Sequence, residues 1–274
     1  MSSLKSFIKL FLPPIIILIL KKFRRKSLTW EGNFQSWSDA CSKTTSYSKY
    51  EIMEKCKKSL LEVVNGRAVH ERDSVLFDKI QYSWPVMGIL QFCGRLNYNK
   101  LHVLDFGGSF GSSYYQNRKF LKNFDELKWS IVEQKDFVTE GKKYFENNEL
   151  KFFYDVNSCV SSGKVNIVLF SSVLQYLDSP FELLRDLFKY KIDYIVIDLT
   201  PVYDLKNRIA IQKVPEVIYN ASYPCWIFNE IELINFFKTD YELIEDFDAF
   251  LGNDLLCDSD KFRYRGYFFK RRQA

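Results

Sequence analysis

The chain has 274 residues, 47% of them hydrophobic and 17% aromatic, so it is long and apolar enough to bury a sizeable core and is not a disordered chain. Eight cations lie in two clusters, residues 21–26 and 270–272, and taking these eight from the net charge of +5 leaves −3 for the rest, which argues against a nucleic-acid-binding surface. The six cysteines include no pair with the two-residue spacing of a zinc or redox motif, which favours free thiols in a reducing cytoplasm.

The first 28 residues differ in composition from the rest. Residues 10–20 are an unbroken apolar run that would reach about 16 Å as a helix, well short of the hydrocarbon thickness of a bilayer. Pro13 and Pro14 should break such a helix, and the basic cluster follows where a signal peptide would have its cleavage site. We therefore predict that residues 4–26 contact the anionic cytoplasmic face of a membrane peripherally. Packing of this segment on the protein's own body is the alternative.

Residues 29–100 are predicted to form a mostly helical N-terminal extension. Ser48 with Glu51 makes a capping box that starts one helix, and Gly66 ends it. A second helix is expected over residues 74–93, interrupted or kinked near Pro85.

From residue 101 onwards, short β-rich runs alternate with helical runs, which predicts a parallel sheet with helical crossovers. Parallel strands are expected at residues 101–105, 128–133, 151–155, 165–170 and 193–199, and an antiparallel pair at 241–247 and 263–270. Residues 201–240 contain three prolines and several aromatics, and are predicted to be a substrate-side insertion. The predicted fold of residues 101–274 is a Rossmann-like α/β fold, a seven-stranded sheet with an antiparallel last strand.

The loop Asp105-Phe106-Gly107-Gly108-Ser109-Phe110-Gly111 leaves the first of these strands and enters a helix. Gly107, Gly108 and Gly111 would let the backbone approach a ligand closely, and the free amides of the helix start suit a carboxylate. Asp105 would meet an ammonium group and would repel the pyrophosphate of a dinucleotide. Adenosylmethionine carries an ammonium, a carboxylate and a sulfonium, so it is the expected cofactor.

Further strand ends supply the rest of the predicted cofactor site. Glu133 ends the second strand, where an acid binds the ribose hydroxyls as a two-pronged acceptor. Asp155 follows the third strand and is either near the adenine or an ordinary turn residue, and Ser171 follows the fourth strand at the methionine end. Ser109 stands where such loops usually have glycine, and it is a departure from the pattern.

Candidates for the chemistry itself are few, because the chain has only two histidines. His70 and Asp73 lie in one ionic run, His70-Glu71-Arg72-Asp73. Either of the two is a candidate general base, unless the run is a solvated charge cluster. Gln175 follows the fourth strand, where acceptors bind, and is the third candidate catalytic residue. No metal-binding constellation is visible. Tyr176 follows the fourth strand as well. Side chains that would cover a sugar, or else pack in the core, are Gln212, Tyr219, Tyr223 and Trp226.

Several motifs occur here in combination, namely Trp30-Glu31-Gly32, Glu71-Arg72-Asp73-Ser74, Leu104-Asp105-Phe106-Gly107-Gly108, Val132-Glu133-Gln134, Ser171-Ser172-Val173-Leu174-Gln175-Tyr176-Leu177, Gln212-Lys213-Val214-Pro215 and Ala221-Ser222-Tyr223-Pro224. The combination, which extends from about Trp30 to the last strand, resembles a methyltransferase family met in bacterial surface-polysaccharide (O-antigen or capsule) gene clusters. The resemblance implies a class I methyltransferase fold with adenosylmethionine as cofactor. In the family pattern an arginine precedes Thr-Pro after the fifth strand, where this chain has Leu199, which implies a different acceptor or none.

The sequence thus predicts methyl transfer from adenosylmethionine to a saccharide or other small acceptor, at oxygen, at the cytoplasmic face of a membrane. Two alternatives stay open. One is a catalytically silent scaffold that keeps the fold to bind a partner, and the other is a nicotinamide-dependent oxidoreductase. No nucleic-acid partner is expected.

Overall fold

The computed structural model describes residues 28–44, 49–215, 221–250, 252 and 254–273. The predicted membrane contact of residues 4–26, the cap residue Ser48 and the aromatic Tyr219 all lie outside these described residues. Within the described ranges, no helix has both the length and the apolar character needed to cross a bilayer.

The described residues form eight α-helices and thirteen strands. The helices are α1 (Trp37–Ser42), α2 (Lys49–Val64), α3 (Trp84–Leu96), α4 (Ser112–Leu121), α5 (Lys135–Tyr144), α6 (Val156–Ser162), α7 (Pro180–Phe188) and α8 (Glu230–Phe237). The strands are β1 (Thr29–Phe34), β2 (His70–Arg72), β3 (Val75–Phe77), β4 (Lys100–Phe106), β5 (Glu126–Val132), β6 (Leu150–Phe153), β7 (Ile167–Ser171), β8 (Tyr194–Tyr203), β9 (Arg208–Val214), β10 (Ala221–Asn229), β11 (Tyr241–Asp248), β12 (Leu255–Cys257) and β13 (Asp260–Arg271).

Seven strands make the predicted α/β sheet, in the order β6-β5-β4-β7-β8-β13-β11. The first five are parallel, and β13 runs antiparallel to both β8 and β11, as the sequence predicts. The central strands β4, β7 and β8 are buried along most of their length because helices cover both faces. One buried cluster lies between the sheet and α2, α3, α4 and α5, and a second lies between the sheet and α6, α7 and α8.

Four further strands extend the sheet to eleven, so the predicted count of seven is too low. β8 pairs with β10, β10 with β9, β9 with β1, β1 with β12 and β12 with β13, and β13 returns to β8. These six strands therefore close a ring, which has a hydrophobic cluster of its own that includes Trp30, Cys225 and Phe262. Closure leaves none of the six as a free edge.

The ring adds to two predictions. Residues 201–240, the predicted substrate-side insertion, are regular in structure, because most of them form β9, β10 and α8. Residues 29–100 are not all helical, because β1 belongs to the ring and β2 pairs with β3 in a hairpin where a helix from residue 74 was expected. Helix α3 begins only at Trp84, so Pro85 opens the helix in its first turn and does not kink it.

Candidate functional site

The loop between β4 and α4 is shaped by tight backbone packing. Gly107 has φ 70° and a side chain there would collide with Val173, while a Cβ on Gly108 would lie 2.5 Å from a carboxylate oxygen of Asp105. Glycine is therefore required at both positions. Gly111, with φ 102°, precedes the first residue of α4 and lies over Leu150 and Ile131. It lines neither the cavity nor the cleft described next, and its positive φ serves the backbone turn.

An open cleft of about 530 Å³ lies on one side of Gly107. Glu133 lines it, and one of its carboxylate oxygens accepts a 2.6 Å hydrogen bond from the amide of Gln134 while the amide of Ser109 also donates to the carboxylate. Burial raises the pKa of Glu133 and these amides lower it. Asp155 lines the same cleft, but its carboxylate caps α6 by accepting from the amide of Ser158 at 2.7 Å. The cleft thus has the predicted acid at the end of β5, and Asp155 has a structural partner as well.

A more enclosed cavity of about 200 Å³ lies on the other side of Gly107, which lines both spaces. Its floor includes Asp105 and Ser171, at the ends of two neighbouring strands. Asp105 is 1% exposed and accepts a 2.9 Å hydrogen bond from the indole nitrogen of Trp129. Burial raises the pKa of Asp105 to about 7, and the bond from Trp129 lowers it.

The β2–β3 hairpin carries the ionic run into this cavity. Asp73 and Ser74 form its two-residue turn, both with positive φ, and His70, Glu71, Arg72 and Asp73 all line the cavity. Asp73 is an exposed residue that lines the cavity, and desolvation by the protein around it raises the pKa of its carboxyl. The hairpin therefore brings the two predicted bases, His70 and Asp73, to the same space as Asp105.

His70 and Glu71 differ in their surroundings. Burial, followed by the charge of Arg72, lowers the pKa of His70 to about 4, so its imidazole is neutral near pH 7. Its Nε2 is buried and has no hydrogen-bond partner among the described residues. Burial raises the pKa of Glu71 to about 7, against a hydrogen bond from the hydroxyl of Ser112. Ser112 is the first residue of α4, so the Glu71 carboxylate lies at the start of this helix. The sequence predicted the carboxylate of the ligand at the same place.

Asp198 of β8 also lines the cavity, and it was not among the predicted site residues. It lies opposite Ser171 in the register of β7 and β8, it is 3% exposed, and burial raises its pKa to about 6. The rule that identified Asp105 and Glu133, an acid near the end of a parallel strand, applies equally to Asp198. Glu71 and Arg72 belong to the same charged run as His70 and Asp73, but no role was predicted for either of them, because the sequence does not show how the hairpin folds.

Gln175 does not line the cavity, so the structure does not support its prediction as a catalytic residue. It is fully buried, and its amide nitrogen donates to the hydroxyl of Ser172 at 3.1 Å and to the carbonyl of Leu199 at 3.2 Å. Ser172 and Leu199 both have positive φ, 55° and 53°, a strained conformation for residues with a side chain. Gln175 therefore supports two strained turns that line the cavity.

The ring contributes the remaining wall. Tyr176 donates from its hydroxyl to Gln212 Oε1 at 2.7 Å, and both line the cavity with Tyr264. Trp226 instead stacks on Trp37 and donates to the carbonyl of Leu177, which is a packing role. Of the predicted sugar-covering residues in the described ranges, Gln212 lines the cavity, whereas the Tyr223 ring packs against Tyr176.

No protein-family model matches the sequence, and no curated protein matches it. Solved structures are similar in fold. They include the N-terminal domain of EvdMO1 in the presence of SAH and D-fucose (12% identity, 82% of this chain and 98% of that one, TM-score 0.48). They also include magnesium protoporphyrin IX methyltransferase (ChlM) from Synechocystis PCC 6803 with bound SAM, at 10% identity over 83% of this chain and 100% of that one, with a TM-score of 0.43. A third is the CcbJ methyltransferase from Streptomyces caelestis, at 11% identity over 63% of this chain and 89% of that one, with a TM-score of 0.41. Identities this low say nothing about substrate, so function is inferred from the residues of this chain.

Proposed function

We propose that the chain is a class I methyltransferase that binds adenosylmethionine and methylates a hydroxyl group of a saccharide or other small acceptor. The observation that carries the proposal is the pair of spaces joined at Gly107, with Glu133 in the open cleft and Asp105 in the enclosed cavity. The cleft accommodates a nucleoside whose ribose hydroxyls reach Glu133, and the cavity accommodates the amino-acid end. Adenosylmethionine, when bound, would supply an electrophilic methyl group on its sulfonium.

Charge favours this cofactor over a dinucleotide. Four carboxyl groups line the cavity, those of Glu71, Asp73, Asp105 and Asp198, against one guanidinium, that of Arg72. A pyrophosphate would bring two negative charges into this space, whereas adenosylmethionine brings two cationic groups and one carboxylate. Arg72 suits that carboxylate, because guanidinium groups bind carboxylates with paired hydrogen bonds.

Asp73 is the better of the two candidate bases. Methyl transfer to a hydroxyl is an in-line displacement that depends on positioning, and the acceptor proton needs a base as the new bond forms. Asp73 is accessible within the cavity and its pKa is raised, whereas the low pKa of His70 makes that imidazole a weak proton acceptor. The hydroxyl of Tyr176 and the amide of Gln212 offer hydrogen bonds to a polar acceptor.

A role in surface-polysaccharide synthesis, with residues 4–26 on a membrane, stays a prediction from the sequence.

Isothermal titration with adenosylmethionine and with NADH tests the proposal. We expect binding of adenosylmethionine alone, weakened at least about tenfold in Asp105→Ala and in Glu133→Gln, since each change removes a charged partner of the ligand. Asp240→Asn, an exposed carboxylate outside both spaces, should bind as the wild type does.

Two results would contradict this function. Binding of NADH in place of adenosylmethionine would favour the oxidoreductase. Binding of neither ligand by the folded wild-type chain would favour the silent scaffold.

A further inference from the structure

The outer face of helix α3 is apolar and open to solvent. Trp84, Gly88, Phe92 and Leu96 recur along it at every fourth position, and the three side chains are 59%, 49% and 58% exposed. The inner face of the same helix is buried in the core. The fold of the described residues thus accounts for one face of α3, and an exposed apolar stripe such as the other is typical of an interaction surface.

Helix α4 widens this face. The ring of Phe120 lies 5.6 Å from the ring of Trp84, and the carbonyl of Phe120 accepts a 2.8 Å hydrogen bond from the side-chain amide of Gln91. The ammonium group of Lys119 lies 5.9 Å from the centre of the Phe120 ring. The two helices therefore lie side by side, with aromatic and cationic groups next to one another.

The charges on the two helices have one sign. Neither α3 nor α4 contains an acidic residue, whereas Arg95 lies in the last turn of α3, Arg118 and Lys119 lie in the last turn of α4, and Lys122 follows it. Arg118 pairs with Glu149, and the other three cations make no ion pair with the described residues. Cations beside exposed aromatic and aliphatic side chains suit an anionic lipid surface. Contact with a second copy of this face would instead bring like charges together.

The first described residue of the chain lies at the same side of the molecule. Leu28 lines the enclosed cavity together with Ser83, which precedes α3, and Val86 of its first turn. The 27 residues before Leu28 contain the apolar run of residues 10–20 and five cations between residues 21 and 26. Two parts of the chain whose composition suits an anionic membrane are thus joined to the same cavity.

We propose that the outer face of α3, with Phe120 and Lys119 of α4, docks on an anionic membrane surface. The apolar stripe then lies among the lipid headgroups, and the cations contact their negative charges. Docking through α3 adds a contribution from the folded body to that of residues 4–26. It does not depend on the proposed function, because it uses neither the cleft nor the acids of the cavity.

The test uses Gly88, in the middle of the stripe, where an added Cβ would meet no atom within 4 Å. The full chain is sedimented with vesicles of phosphatidylcholine alone and of phosphatidylcholine with about one third phosphatidylglycerol, and the wild type should bind the anionic vesicles more tightly. Gly88→Leu should bind these at least about threefold more tightly, and Gly88→Glu at least about threefold more weakly, because one adds apolar area and the other a negative charge. Both replace a glycine within a helix, so neither should lower stability.

Ile231→Glu is the matched control, because Ile231 is 68% exposed on α8, which packs on the opposite side of the sheet from α3. It should bind vesicles as the wild type does. Equal vesicle affinity of the wild type, Gly88→Leu and Gly88→Glu would overturn the inference, and so would a wild type that does not bind anionic vesicles. A wild-type dimer that Gly88→Glu makes monomeric, without vesicle binding, would assign the face to a second copy and overturn it as well.

Discussion

Ser109 has the backbone conformation of the glycine that it replaces. Its φ is 53°, in the left-handed region, and its amide donates to the Glu133 carboxylate. The departure from the loop pattern therefore changes the side chain and not the path of the chain. A residue with a side chain is strained there, by about 1 kcal/mol.

We expect Ser109→Gly to raise the free energy of unfolding by about 1 kcal/mol, because it relieves that strain. The lost hydroxyl contact is with the thiol of Cys56, a weak hydrogen-bond partner. Adenosylmethionine affinity should stay within about twofold, because the contact with Glu133 comes from the backbone. Urea denaturation and titration measure the two effects. Ser113→Gly, in the helical conformation of α4, should instead lower stability by about 0.5 kcal/mol, and the idea fails if Ser109→Gly does the same.

At the scale of elements, the β2–β3 hairpin determines where the ionic run lies. Its turn residues, Asp73 and Ser74, have φ 49° and 68°, the pattern of a type I′ turn, in which the second residue is most often glycine. We expect Ser74→Gly to stabilise the protein by about 1 kcal/mol in urea denaturation, with ligand affinity unchanged because Asp73 keeps its place. Asp73→Asn is the paired variant: it suits the turn equally, so stability should hold while methyl transfer to an acceptor declines. A destabilised Ser74→Gly protein would mean that the turn is not the one described.

The elements recovered from the sequence are those with local signals. The strands β4 to β8 alternate with helices, and their apolar runs and capping residues identify them within a few residues. The four further strands of the ring, β1, β9, β10 and β12, lack such signals. Pro224 lies within β10, which pairs with β9 along its length but with β8 only at Phe228 and Asn229. Proline has no backbone N–H, and at this position its absence costs no hydrogen bond to a second strand. Trp30 of β1 pairs with Cys257 and Gln212, partners too distant in sequence for periodicity to reveal.

The same distinction holds for the site at this scale. Asp105 and Glu133 were predictable because a parallel sheet brings its strand ends together at one edge. Glu71 and Arg72 come from a hairpin that precedes the sheet, and only tertiary packing against α4 and the ring places them there.

At the scale of the whole molecule, the cavity makes stability depend on pH. The pKa values of Glu71, Asp105 and Asp198 are raised to about 7, about 7 and about 6. The folded chain therefore holds protons that the unfolded chain has already released above about pH 4. Its free energy of unfolding should fall as the pH rises from about 4 to about 7. The lowered pKa of His70 acts in the opposite direction below its ordinary value, but it is one group against four carboxyl groups of the cavity, since the pKa of Asp73 is raised too.

Ligand binding should reverse this trend, because a cation in the cavity favours the ionised carboxylates. We expect the melting temperature of the free protein to fall between pH 5 and pH 7, and the increase produced by saturating adenosylmethionine to be larger at pH 8 than at pH 6, by about 4 °C or more. Thermal denaturation with and without ligand across this range measures both. Asp198→Asn should make the decline of the free protein shallower, since one of the carboxyl groups with a raised pKa is gone. A free protein whose melting temperature rises from pH 5 to pH 7 would show that these carboxyl groups are ionised in the folded chain, and the cavity would then lack the buried protons on which the ligand effect depends.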